Sequence, residues 1–198
     1  ATLAAGLTSG YIYTSVDSGV TWTERSAVGS RWWRAITISA DGTRIAAGPS
    51  TGTMHTSADS GATWTEQTAL GSQGYQAIAG SADGAKLIVG SQYNSLYTST
   101  DYGSTWQMQT VLGSRTWWSM AGSDDGRTLV AGTMSGQLYT STDAGDTWVH
   151  RLDSPTVDWF ATASSADGTK LVAADSGGYI YTSADSGATW VQRTDAGS

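Results

Sequence analysis

Ser15-Val16-Asp17-Ser18-Gly19-Val20-Thr21-Trp22 decides how this chain is read. The pattern S-x-D-x-G-x-T-W returns at residues 57–64, 99–106, 141–148 and 183–190, always with a step of 42 residues. A fixed period of that size marks stacked supersecondary units. The units run approximately over 1–30, 31–72, 73–114, 115–156 and 157–198, and the expectation is one domain spanning 1–198.

Residues 31–72 serve as a template. Residues 35–39 (AITIS) are β-like, and Asp41-Gly42 follows as a tight turn. Residues 44–48 (RIAAG), 53–57 (TMHTS) and 62–67 (ATWTEQ) supply three more strands, and 68–72 lead into the next unit. Four short strands with turn signals at this spacing read as one blade of a β-propeller. No segment shows helical periodicity. One strand slot holds Leu3, Ile45, Leu87, Leu129 and Leu171; another holds Ile12, Met54, Leu96, Leu138 and Ile180. An aliphatic residue at one register in every copy is what packing between neighbouring sheets requires. The next slot holds Tyr13, His55, Tyr97, Tyr139 and Tyr181, so His55 is read as a packing residue.

The fold class expected is therefore all-β, a β-propeller of five 42-residue repeats with about four strands per blade. The first-strand slot is filled only at 35–39, 77–81, 119–123 and 161–165, because the sequence enters at a second strand, residues 2–6. Nineteen strands result, and the first blade lacks its innermost one. Three arrangements satisfy this: a closed ring with one short blade, a section of a longer array, or a strand supplied by a neighbouring chain. The favoured expectation is five blades in one ring, with self-association through the incomplete blade as a further possibility.

Composition narrows the function classes. Only 14% of residues are charged, the net charge is −7, and no run of Lys or Arg occurs, which argues against nucleic acid as a partner. Cysteine is absent, which removes disulfides and thiolate metal sites. No apolar stretch approaches the ~20 residues of a membrane helix. Ala1-Thr2-Leu3 has no signal-peptide features.

The repeated octapeptide resembles the Asp-box (BNR repeat) of sialidases and of other propellers, including secreted glycosidases and photosystem assembly factors. The resemblance covers every repeat. It implies that Asp17, Asp59, Asp101, Asp143 and Asp185 order the turn between third and fourth strands. It also implies that Trp22, Trp64, Trp106, Trp148 and Trp190 fold back beside them, away from the ligand face. The chemistry agrees: Asp accepts backbone N–H bonds within its own turn, Gly tolerates positive φ, and Trp buries area between blades. One carboxylate per copy is too few for a calcium site, and no cofactor or metal is expected. The resemblance also carries the expectation of an extracellular or periplasmic setting.

A sialidase would need an arginine triad, a Tyr/Glu nucleophile pair and an acidic donor. The only glutamates, Glu24 and Glu66, fall on outer fourth strands. Nine of the fifteen aspartates belong to repeated turns, and Asp124, Asp146, Asp153, Asp158, Asp175 and Asp195 form no evident pair flanking one bond. An enzyme is not expected.

What remains is the segment leading into each first strand: Arg31-Trp32-Trp33-Arg34, Gln73-Gly74-Tyr75-Gln76, Arg115-Thr116-Trp117-Trp118 and Val157-Asp158-Trp159-Phe160. All five tryptophans outside the octapeptides lie here. The candidate ligand residues are Arg31, Trp32, Trp33, Arg34, Gln73, Tyr75, Gln76, Arg115, Trp117, Trp118, Asp158, Trp159 and Phe160. Trp33, Tyr75, Trp117 and Trp159 share one slot, so packing between blades competes evenly with binding. Neighbouring strand residues face opposite sides, so both members of a Trp-Trp pair cannot share one core. Flat rings beside Arg and Gln suit stacking on sugar faces and bonding of hydroxyls or a carboxylate. The function expected is non-catalytic, lectin-like carbohydrate binding at repeated sites; the alternative is a protein-interaction or structural module, or a recently amplified or designed propeller with no evolved ligand.

Overall fold

A computed structural model describes residues 1–151 and 155–194. Asp153 and Asp195, two of the leftover aspartates, lie outside the described residues. Sheet 1 comprises β1 (Leu3–Gly6), β2 (Ile12–Ser15) and β3 (Thr23–Arg25). Sheet 2 comprises β4 (Trp33–Ile38), β5 (Ile45–Pro49), β6 (Met54–Ser57) and β7 (Thr65–Gln67). Sheet 3 holds β8 (Tyr75–Gly80), β9 (Leu87–Ser91), β10 (Leu96–Ser99) and β11 (Gln107–Met108). Sheet 4 holds β12 (Trp117–Gly122), β13 (Leu129–Thr133), β14 (Leu138–Ser141) and β15 (Val149–His150). Sheet 5 holds β16 (Trp159–Ser164), β17 (Leu171–Asp175), β18 (Ile180–Ser183) and β19 (Val191–Arg193). Strands follow chain order in each antiparallel sheet, giving nineteen strands among the described residues and a three-stranded first blade, in line with the repeat arithmetic.

The octapeptide turn closes on itself. In the first copy the Ser15 hydroxyl donates to Asp17 at 2.7 Å and accepts the Gly19 N–H at 2.8 Å. Asp17 also accepts the Thr21 N–H at 2.9 Å, and the Trp22 indole N–H donates to the Gly19 carbonyl at 3.1 Å. The same serine, aspartate and threonine bonds recur in the other copies. Bonds from the Thr63 hydroxyl and backbone hold the Asp59 carboxyl at about 2, and the Thr21 hydroxyl and backbone do the same for Asp17. Gly19, at φ 90°, and Ser18, at φ 63°, bend the chain through the left-handed region.

The Asp-Gly turns lie at the same end, because Ser60 N–H donates to Thr43 O and Tyr102 N–H to Ala85 O, each at 2.9 Å. Successive Asp-Gly turns are also linked directly. Ala40 N–H donates to Ala82 O (2.7 Å), Ala82 N–H to Asp124 O (2.8 Å) and Asp124 N–H to Ala166 O (2.8 Å).

The core is divided among the junctions. Between sheets 2 and 3, Ala46, Met54 and Leu70 face Tyr75, Leu87, Val89 and Tyr97. The other three junctions repeat this layout around Trp33, Trp117 and Trp159. Three short 3-10 turns, Ser26–Val28, Thr68–Leu70 and Thr110–Leu112, deliver Val28, Leu70 and Leu112 into these layers. A three-residue turn leaves no periodicity in the sequence, so these were not anticipated. His55 is buried edge-on against Trp33, with centroids 5.7 Å apart, and packs as expected.

Two expectations are corrected. The ring does not close: sheet 5 does not meet sheet 1. In each packed junction the octapeptide glycine abuts a threonine of the preceding sheet (Gly61 on Thr14, Gly103 on Thr56, Gly145 on Thr98, Gly187 on Thr140), but Gly19 has only Leu3 and Trp22 near it. The octapeptide tryptophans fold back, yet Trp64, Trp106, Trp148 and Trp190 are half-buried and Trp22 is exposed. Their rings cap the junctions at the rim instead of filling them, and Trp22 has no preceding sheet to lie on.

Candidate functional site

Each first strand carries the same irregularity. Pairing with the second strand shifts between Trp33 and Ala35, Tyr75 and Ala77, Trp117 and Ser119, and Trp159 and Ala161. Arg34, Gln76, Trp118 and Phe160 are therefore bulge residues, left out of the ladder and re-aimed. The aromatic before each bulge goes the other way. Trp33, Tyr75, Trp117 and Trp159 are at most 4% exposed and lie in the cores between sheets. The binding role considered for these four is thereby corrected: an interblade layer with no solvent access holds them, and Tyr75 spends its hydroxyl on the Gly71 carbonyl at 2.8 Å.

The four bulge residues meet. Together with Ile36, Ile78, Met120 and Thr162 they line an open cavity of about 330 Å³ where the first strands of sheets 2 to 5 converge. The Trp118 and Phe160 rings stand edge to face with centroids 5.7 Å apart. The Arg34 guanidinium lies 5.1 Å from the Trp118 ring centroid, within the range of a cation–π contact. The Gln76 side-chain amide donates to Gln92 at 3.3 Å. Gln76 Oε1 and Thr162 Oγ1 are buried without a hydrogen-bond partner among the described residues. Among the described residues no carboxylate lines this mouth. Ile36, Ile78, Met120 and Thr162 were missed from sequence; alternation by two from the bulge residue would have found them.

The remaining candidates lie outside this mouth, and most of them are engaged elsewhere. Gln73 donates to Leu70 O at 3.0 Å and accepts from Asn94 Nδ2 at 2.7 Å. Arg115 Nε donates to Leu112 O at 2.8 Å, and its guanidinium lies 5.2 Å from the Tyr139 ring. Arg31 sits 5.8 Å from the Trp33 ring and beside Gly52. Asp158 accepts the Ser135 N–H at 2.6 Å and so pins the preceding blade's loop, where Ser135 has φ 49°. Trp32 is 51% exposed and lies outside the mouth. Among the described residues no three His, Asp or Glu side chains group as metal ligands, and no helix is long and apolar enough to cross a membrane.

No protein-family model matches the sequence, and no curated protein matches it either. Solved structures do match in shape. A GH74 enzyme from Niastella koreensis superposes with TM-score 0.65 at 22% identity, over 96% of this chain and 29% of that one. An ancestral GH74 enzyme gives 0.75 at 18% identity, over 98% and 29%. The β-propeller domain of Swd1 from Myceliophteria thermophila gives 0.69 at 17% identity, over 92% and 66%. The chain thus spans less than a third of the length of these GH74 enzymes. What it shares with all three is the backbone arrangement, and that arrangement is the β-propeller fold.

Proposed function

We propose that the chain is a non-catalytic, lectin-like binding propeller whose ligand is a carbohydrate held at the axial mouth. One observation carries this reading: four bulges at one repeat position bring an arginine, a glutamine, a tryptophan and a phenylalanine into a single cavity. Packing alone gives no reason for residues this unlike at equivalent slots, because the strand slots in the cores stay aliphatic throughout or aromatic throughout. Phe160, 49% exposed, offers a ring face for a sugar. Gln76 Oε1 and Thr162 Oγ1, buried and without a partner among the described residues, would accept hydroxyl protons once their side chains turn toward the mouth, and Arg34 suits a carboxylate-bearing sugar. The sequence led us to expect several equivalent sites around the ring; the geometry supports one composite site. The described lining of the mouth carries no acidic group, which supports a binding role over glycoside cleavage.

Glycan-array screening followed by calorimetry on the hits tests this. Binding should fall at least tenfold in Phe160→Ala and Trp118→Ala while the fold is retained. A saturating screen with no hit, or variants that bind like the parent, would sink it. The second reading, a protein-interaction module, draws on Trp32: an exposed tryptophan outside the mouth beside Arg31 is hot-spot chemistry. Loss of a captured partner in Trp32→Ala, with the mouth variants unaffected, would favour that reading.

A further inference from the structure

Sheets 1 to 4 each carry the following sheet on one face, and sheets 2 to 5 each carry the preceding sheet on the other. Two faces are left over. Sheet 5 presents Val172, Ala174, Ile180 and Thr182; sheet 1 presents Leu3, Tyr13, Gly19 and Trp22. At the slot of Ile180 the packed junctions hold Ile12, Met54, Leu96 and Leu138, all fully buried, whereas Ile180 is half-buried. Leu3 is 39% exposed, against at most 7% for Ile45, Leu87, Leu129 and Leu171. The junction of sheets 2 and 3 leaves only about 10 Å³ unfilled where sheet 5, at the same register, opens a groove of about 460 Å³.

Both faces are already in junction geometry. Arg193 Nε donates to Thr182 at 2.7 Å, as Arg25 does to Thr14 and Arg151 to Thr140 in covered faces. In sheet 1, Ser18 N–H donates to Ala1 O at 3.0 Å, the bond that joins the two turns in the later repeats.

Ala174 identifies what fits. Its equivalents are Gly6, Gly48, Gly90 and Gly132, where an added Cβ would come within 2.4–2.6 Å of the Cβ of the next sheet's Trp33, Tyr75, Trp117 or Trp159. The one repeat with a Cβ at this slot therefore rejects a sheet that brings an aromatic first strand in the usual register. Sheet 1, which has three strands and no such aromatic, meets no Cβ there. Sheet 5 is thus matched to sheet 1 and to no other sheet of the chain. Closing one molecule on itself would require movement at packed junctions whose contacts at Gly6, Gly48, Gly90 and Gly132 leave no room even for a methyl group. A second copy requires none.

We propose that the sheet 5 face of one copy docks on the sheet 1 face of a second copy, extending the existing junction head to tail. Thr182 would then lie under Gly19, and Val172 and Ile180 would cover Leu3. The contact is heterologous, so each copy offers one donor face and one acceptor face.

Light scattering and sedimentation of the 198-residue chain, alone and in mixtures, test the proposal. The parent's mean mass should rise with concentration beyond that of a dimer or settle at a closed ring. Ile180→Glu and Leu3→Glu, at a half-buried and an exposed site, should each be monomeric with unchanged circular dichroism. An equimolar mixture of the two should give a dimer and nothing larger, because only one competent junction can form. A parent that stays monomeric at all concentrations, including one closed on itself, overturns the proposal. So does a variant that still associates alone, or a mixture that does not pair.

Discussion

The two ends of the propeller differ in what their side chains are bonded to. At the end where the turns gather, each octapeptide aspartate is consumed by its own serine and threonine, and the pattern hardly varies from copy to copy. At the axial mouth the equivalent residues are Arg34, Gln76, Trp118 and Phe160, and two acceptor atoms in the lining have no partner among the described residues. Polar chemistry that is internally satisfied stabilises and is indifferent to ligand, whereas polar chemistry left open at a cavity is available for recognition. The repeat thus builds its scaffold at one end and keeps its individuality at the other.

The strongest way to break this contrast is acid, which acts on all the turns at once. Asp17, Asp59, Asp167 and Asp185 are held at about 2 by hydroxyl and backbone donors of their own turns. Their unfolded values are about 3.9. The unfolded chain therefore takes up protons first as pH falls. The stability these carboxylates contribute is complete above pH ~4 and is lost on the way down to ~2. Thermal melts followed by circular dichroism should show the midpoint falling steeply in that window, and a flat profile would contradict the account. His55, kept below its usual value by burial and by Arg31, acts in the same direction at higher pH, so the carboxylate effect is read below 4.

Trp117→Ala should come next, costing about 3–5 kcal/mol in urea unfolding, because a fully buried indole leaves a cavity between two sheets. Asp59→Ala should cost about 1–2 kcal/mol by the same measurement, since it strips one turn of its charged acceptor. Trp118→Ala, one residue from Trp117, should change stability by only about 1 kcal/mol while removing the carbohydrate binding proposed for the mouth. If the effects of Trp117 and Trp118 were reversed, the division between scaffold and mouth would fail.

That pair also shows what the sequence could and could not reveal. The period of 42 residues and the slots of Leu87 or Leu96 made the blades and their faces legible, because burial at a strand register leaves a signature in every copy. Strict alternation sends Trp117 and Trp118 to opposite sides, which is correct. It does not say which one goes to the core, because the bulge that decides depends on pairing with β13. No local pattern shows that Gln73 and Arg115 bond to the connecting turns at Leu70 and Leu112, or that Asp158 bonds to Ser135 of the preceding blade. Closure was misjudged for a similar reason: the angle between packed sheets is set by many small contacts, and no single residue reports it.

The hydrogen bonds that run from Ala40 to Ala82, Asp124 and Ala166 have a consequence for how such a molecule changes length. Each link takes an N–H from one Asp-Gly turn and a C=O from the next, so every interior turn gives and receives once. Deleting or duplicating 42 residues leaves every donor with an acceptor, and the threonine–glycine contacts follow the same arithmetic. Removing any other number leaves one N–H and one C=O stranded at the axis. The array is therefore quantised: it tolerates gain or loss of whole repeats and resists every fractional change.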